Sequence, residues 1–312
     1  MYTSNQQFIL LLQQMRFSKT LINKFCKYFP NSNDYIDDVM NDKINALSVF
    51  NNSDLNKIKN AILNKNHLNY IEKLNKMKIF CLFKDSKYYP KSLLEIENSP
   101  NVLYTIGDIS LLQSVKLSII GTRKPTKYGK EVVSLFVKNL ASAGIIPVSD
   151  LAYGIDGLVA SESVSNNIKT IALLAGGLTS IYPSSHTNLA RQIVKNGGLL
   201  LTEYPPYVKP EKSFFIERNR LLAGICEGVL LIEAGENSAT MNTINNAVDF
   251  GKEIFVVPGN ITSDMSKGTN KLISEIPHSF TIKILIKVDT EGPCLNIKKA
   301  TYDRPTATHT QQ

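Results

Sequence analysis

Apolar residues recur at intervals of three and four near the start of the chain, from Phe8-Ile9-Leu10-Leu11-Leu12 through Phe17, Leu21, Ile22, Phe25 and Phe29. That period lays them along one face of a helix. Pro30 and the polar run Asn31-Ser32-Asn33-Asp34 interrupt it, as turn residues do. A further helix is predicted from an N-cap near Ser53-Asp54, with Leu55, Ile58, Ala61 and Ile62 turned inward. No glycine precedes Gly107. Residues 1–75 therefore read as a small all-helical domain whose chemistry is not legible.

From about Lys78 the period changes. The runs 79–83 and 102–106 read as short strands. Apolar runs at 117–120, 145–149, 170–174, 199–201, 229–233 and 254–257 follow, and helical patterns occupy 130–143, 156–166, 188–196, 218–223 and 240–250 between them. This alternation predicts an α/β fold over 76–286, a parallel sheet with helices on both faces. Residues 287–312 hold no sustained periodicity and are expected to form a disordered tail.

In such a sheet, ligands bind beyond the carboxyl ends of the strands. Gly121, Gly154, Gly176-Gly177 and Ala234-Gly235 all fall at such ends. The stretch 116–130 carries Lys116, Arg123, Lys124, Lys127 and Lys130 and no acid. A glycine at the strand end turns backbone N–H groups toward an anion, the next helix adds its dipole, and Arg123 can grip a phosphate with two nitrogens. The spacing is not GxGxxG, so that dinucleotide fingerprint is unsupported. A solvated basic turn is the alternative.

Other loops carry weaker signals. Ser149 to Asp156 and Ala175 to Leu178 are small-residue loops suited to close backbone approach. Asp156 reads as a helix N-cap, and His186 as a surface or capping histidine. Arg218-Asn219-Arg220, at a predicted helix start, suits phosphate and base-edge contact; buried pairing with Glu203 or Glu233 competes equally. Ser238 to Thr243 is hydroxyl-rich and opens a helix, which it can cap, or whose end can bind an anion.

Composition narrows the classes. The 312 residues are 43% hydrophobic and 20% charged, ordinary globular values that exclude a disordered chain, a collagen-like repeat and a disulfide scaffold. No apolar run approaches the ~20 residues that span a bilayer, and the N-terminus lacks signal-peptide features, so no membrane association is expected. Cys26, Cys81, Cys226, Cys294 and the four histidines show no metal-ligand spacing. No metal, cofactor or catalytic residue is expected, and a reducing cytoplasm is. Lys and Arg total 35 against 27 Asp and Glu, for a net charge of +8. That field favours polyanions without identifying one, and a Lys-, Asn- and Ile-rich composition produces the same excess.

Taken in order, the stretches YYPKSLLEIENSPNVLYTIGD, IIGTRKPTKYG, LAYGID, KTIALLAGGL, IYP, LTEYPP, RNRLLAG, IEA…S, FVVPG and GTNKLI resemble the DprA/Smf family of bacterial DNA-processing proteins across about residues 80–275. The resemblance implies an extended Rossmann-like fold preceded by a helical domain of sterile-alpha-motif (SAM-like) type. It implies a homodimer that binds single-stranded DNA, protects incoming strands and helps load the RecA recombinase in natural transformation, without turnover. By position it places DNA contacts on Gly121, Thr122, Arg123 and Lys124, on Ser149 and Gly154, and on Gly176 and Gly177. Tyr182, Asn188, Arg191, Arg218, Asn219, Arg220, Ser238, Thr240 and Thr243 complete the expected site.

The chain departs from the family pattern in places. Asp150 stands for a glycine, Tyr153 for a lysine, Val159-Ala160 for Ala-His and Ala239 for a glycine, and no cation follows Tyr182-Pro183. Lost cations should weaken phosphate binding, with Arg191 a possible substitute. The family's C-terminal winged-helix domain is expected to be absent or reduced to the tail. Two alternatives remain at this stage. One is a phosphoribohydrolase-like enzyme acting through Glu233, although 233–238 lack that group's paired glycines. The other is a divergent paralogue acting through a protein partner.

Overall fold

A computed structural model of the chain describes residues 2–274, 282–284 and 298–299. Five helices come first: α1 (Ser4–Gln14), α2 (Lys19–Tyr28), α3 (Tyr35–Met40), α4 (Asn52–Leu63) and α5 (Asn66–Lys76). Their starts follow local chemistry. Thr3 and Gln6 form a capping box on α1, Ser18 caps α2 and Asp34 caps α3. Asn51, not Ser53, caps α4, through its side chain and the Asp54 N–H at 2.8 Å. Phe8, Phe25 and Phe50 pack with Leu11, Ile22 and Ile58 into a core of the region's own.

The sheet follows: β1 (Phe80–Phe83), α6 (Lys91–Leu94), β2 (Val102–Gly107), β3 (Lys116–Ile120), α7 (Lys127–Ser142), β4 (Ile146–Ser149), α8 (Ile155–Ser165) and β5 (Ile171–Leu173). Then come α9 (Thr187–Lys195), β6 (Leu199–Thr202), α10 (Lys212–Gly224), β7 (Gly228–Leu231), α11 (Met241–Asp249), β8 (Glu253–Val256), α12 (Lys267–Ser274), β9 (Ile282–Ile284) and β10 (Lys298–Lys299). The strand order is β1-β2-β6-β5-β4-β3-β7-β8-β9-β10. From β6 to β9 all pairings are parallel, whereas β1–β2, β2–β6 and β9–β10 are antiparallel. The sheet is thus mixed rather than purely parallel. β2 and β3 are not neighbours: the connection that holds the 3-10 turn Ile109–Gln113 carries the chain past β6, β5 and β4. Apart from the Lys298–Lys299 pairing, the expected tail over 287–312 lies outside the described residues.

Both faces are covered, and side-chain alternation assigns them. Ile120, Leu199 and Leu201 join Leu221 and Leu222 of α10 and Ile244 of α11 on one face. On the other, Ile119 meets Val133 and Val137 of α7 and Val159 of α8, and Leu200 meets Ile193 of α9. The period of two along each strand produces this division. The helical region docks on this second face through Leu10, Tyr70 and Leu74, against Cys81, Phe83 and Tyr104. Buried Tyr104 donates its hydroxyl to Gln13 at 2.7 Å, which satisfies both polar groups at that seam. No helix among the described residues is long and apolar enough to cross a membrane.

Candidate nucleic-acid interface

The chain runs outward in one direction after β3 and in the other after β7, so the topological switch lies between these adjacent strands. The turn after β3 is fastened on two sides. The Thr122 N–H donates to the Glu233 carbonyl at 2.7 Å, and the Thr122 carbonyl accepts from the Ile155 N–H at 3.1 Å. Gly121 is buried there, while Arg123 and Lys124 project into solvent. Neither has a carboxylate within ion-pair distance among the described residues.

The loop after β4 supports that turn. Gly154 has φ +85°, and a Cβ on it would run into the Thr122 carbonyl and the Arg123 backbone. Only glycine combines that backbone conformation with so close an approach. From the other side, His186 Nδ1 lies 2.8 Å from the Leu151 carbonyl. His186 is therefore half-buried and ties the loop down; its side chain makes no capping bond to α9. Tyr153 packs edge-on against His186 and stays 49% exposed.

The dipole of α7 is answered from within. Glu233, 1% exposed, accepts from the Thr126 N–H at 2.9 Å and the Thr126 hydroxyl at 2.5 Å. Thr126 also caps the helix through the Gly129 N–H at 3.2 Å. An internal carboxylate thus occupies the position expected to help hold a phosphate, and the exposed cations are what the turn offers an anion. The same bonds engage the acid on which a phosphoribohydrolase reading depends.

Asp156 is not a cap either. It is buried, and Gly154 is the N-cap residue of α8, without a side-chain bond. Ser149 Oγ lies 2.9 Å from the Ile119 carbonyl and 2.8 Å from Asp156 Oδ1. The Ser149 hydroxyl is the donor to both, a bond shared between the Ile119 carbonyl and the Asp156 carboxyl. Burial, then the neighbouring Asp150 charge, pushes the Asp156 carboxyl well above its ordinary value, against the opposing Ser149 bond and Arg218 charge.

Several expected contact residues face inward. Gly176 and Gly177 are buried, and a Cβ on Gly177 would strike the carbonyls of Pro205 and Pro206, so the chain's own 205–210 segment makes the close approach. Arg218-Asn219-Arg220 lies in the second half of α10 rather than at its start. Arg218 is only 2% exposed; it donates to the Leu173 carbonyl at 2.9 Å and pairs with Asp150. Arg220 pairs with Glu203 at 2.5 Å, and Asn219 donates to Asn242 at 3.3 Å. Sequence reasoning named Glu203 as a partner but missed Asp150, which here neutralises Arg218 and also accepts from the Ala152 N–H at 2.7 Å. Ser149 and Thr243 are buried, and Ser238 Oγ lies 2.7 Å from Thr240 Oγ1 ahead of α11.

Facing outward are Arg123, Lys124, Tyr182, Asn188 and Arg191. Tyr182, 48% exposed, meets Phe215 edge-on at 5.4 Å. Phe215 was not singled out from the sequence, because Phe214-Phe215-Ile216 shows no single buried helical stripe. No three His, Cys, Asp or Glu among the described residues are grouped to hold a metal.

The supported basic turn and the half-exposed Tyr153 thus lie together beyond the carboxyl ends of β3 and β4. Profile comparison matches residues 80–284 to the family described as DNA recombination-mediator protein A. The chain belongs to that family. It is 40% identical over 191 residues to the DNA processing protein DprA of Bacillus subtilis, covering 61% of this chain and 64% of that protein. To protein Smf of Escherichia coli it is 36% identical, covering 61% and 51%. The matched part thus spans less than two thirds of these relatives' length. The crystal structure of DprA from Streptococcus pneumoniae superposes with a TM-score of 0.74 at 28% identity, over 90% of this chain and 94% of that one. DNA processing protein A from Helicobacter pylori, whose structure addresses its single-stranded DNA binding mode, gives 0.58 at 32% identity, over 63% and 87%.

Proposed function

We propose that this family member is a non-enzymatic, cytoplasmic single-stranded DNA-binding protein that protects incoming strands and helps load the RecA recombinase during natural transformation, acting as a homodimer. Its DNA-binding part would be 76–286, with 1–75 a separate helical domain. The carrying observation is the turn after β3, where Arg123 and Lys124 stand exposed and unpaired among the described residues on a backbone fixed from two sides. These cations hold phosphates, Arg191 and Asn188 extend the path, and bases lie against Tyr182, Phe215 and Tyr153. No base-edge reader stands out, so sequence preference is slight. The single-stranded DNA binding of the Helicobacter relative supports this reading.

Fluorescence anisotropy with a labelled oligonucleotide tests it. Single-strand preference, an affinity that falls with salt, and weaker binding by Arg123→Ala for every sequence are expected. Unchanged affinity of that variant across a salt series would overturn the phosphate assignment. The neutralised Arg218 and Arg220 favour a second reading if no binding occurs even at low salt: a divergent member acting through a protein partner.

A further inference from the structure

From α10 the Arg218 guanidinium reaches the carboxyl ends of β4 and β5, which are parallel neighbours. One nitrogen donates to the carbonyl of Leu173, the last residue of β5, at 2.9 Å. Another pairs with one oxygen of Asp150, the residue that follows β4. The second Asp150 oxygen accepts the Ala152 N–H at 2.7 Å. The two oxygens of one carboxylate therefore bridge a guanidinium and a backbone amide. Two oxygens of a phosphate are held in the same way, by an arginine and by backbone N–H groups at a strand-end loop.

The pair sits among the groups assigned above to the strand path. Arg218 lies over the Phe215 ring at 5.9 Å, and Phe215 meets Tyr182. Tyr153, half-exposed, follows Asp150 by three residues. The Asp150 side chain is 12% exposed and that of Arg218 only 2%, so the carboxylate is the part of the pair that solvent reaches. Asp156, the other acid here, is driven toward its neutral form by burial and then by the Asp150 charge. Stability alone does not account for such a pair, since apolar residues of similar volume serve a buried position as well or better.

We infer that Asp150 occupies the place of a strand phosphate, so that the chain carries a phosphate pocket closed by its own carboxylate. A strand crossing this face, the reading on which this inference rests, is then held by Arg123, Lys124 and Arg191 and passes over a neutralised Arg218. Asp150 is thus the residue that limits affinity. Its removal frees two donors, the Arg218 guanidinium and the Ala152 N–H, for one phosphate.

The full chain, Asp150→Ala and Asp150→Ala/Arg218→Met test this. Each is also made with Asp156→Asn, so that the neighbouring carboxyl cannot ionise in place of the one removed. By anisotropy with labelled oligo(dT), Asp150→Ala should bind at least about tenfold more tightly than the parent at low salt. Its log–log salt slope should be steeper by ~0.7, one further phosphate contact. The double variant should return to the parental affinity and slope. Inorganic phosphate, against chloride at equal ionic strength, should raise the thermal midpoint of Asp150→Ala more than that of the parent or the double variant. If Asp150→Ala does not fold by itself, phosphate should restore its cooperative unfolding. A parent that binds strands, with no gain in Asp150→Ala and no selective effect of phosphate, would overturn the inference alone. An equal gain in the double variant would also overturn it, because Arg218 would not be the partner. A parent that binds no strand at any salt would instead overturn the reading beneath it.

Discussion

Two arginine-bearing elements abut the loop that follows β4, and they differ in what surrounds the charge. Arg123 stands on a turn that Gly154 supports, with its side chain in solvent. Arg218 reaches the loop from α10 and is buried against Asp150 and the Leu173 carbonyl. In the sequence both sit in short polar motifs of the same family. The acid that silences one of them is 68 residues away along the chain. A cation is available to a ligand when no internal carboxylate claims it, and only the folded chain decides that.

The sharpest way to break this comparison is to remove each charge in turn. Arg218→Ala leaves Asp150 without its partner, so a loss of about 3–5 kcal/mol is expected in urea unfolding. Arg123→Ala should change stability by no more than ~0.5 kcal/mol. Equal losses would mean that the two arginines are not differently employed. Arg218→Met combined with Asp150→Ala removes both charges together and should recover most of the loss.

Gly154→Ala tests the support itself. The forced positive φ and the collision with Thr122 should destabilise the fold by about 1–3 kcal/mol, and displacement of Arg123 should weaken DNA binding measured by anisotropy. Full binding in a folded variant would separate the loop from the turn. Removing Arg123 and Lys124 together should flatten the log–log salt dependence of single-strand binding by about 1.4, at ~0.7 per phosphate contact. An unchanged slope would place the phosphates elsewhere.

The smallest effect concerns Asp156, beside the Asp150–Arg218 pair. Its raised carboxyl value means that the folded chain holds a proton the unfolded chain releases. That contribution to stability is complete below the ordinary carboxylate range and is lost as pH rises through the raised folded value. Asp156→Asn keeps an acceptor for Ser149 and cannot ionise. Its stability, followed by urea unfolding across pH, should decline less toward alkaline pH than that of the parent chain. Parallel curves would show that Asp156 is ionised when folded.

Much of the fold was legible because strands are short apolar runs closed by glycine. The runs at 117–120, 170–174 and 199–201 coincide with β3, β5 and β6 to within a residue or so at each end. Periodicity carries no strand direction, so the antiparallel β1 and β2 were not distinguished. The helix containing Arg218 begins at Lys212, six residues ahead of its expected start. Ile216, the fifth residue of the helix, is 62% exposed, so its opening carries no amphipathic stripe to recognise. In the site, the basic turn was legible because its charges are consecutive and outward. The Asp150–Arg218 pair and the glutamate under α7 were not, since each joins distant residues in a buried place; the Ser149–Asp156 bond spans only seven residues, but a buried loop conformation brings them together.

The glutamate under α7 has a consequence in time. Thr126 and Glu233 are 107 residues apart, and synthesis proceeds at roughly 5–20 residues per second. On a ribosome, the first turn of α7 therefore waits roughly 5–20 s for the carboxylate that completes it. The Thr122 N–H waits as long for its acceptor, the carbonyl of the same residue. The basic turn is thus anchored late, after β7 has followed the strands before it, and a nascent chain cannot present its finished form early.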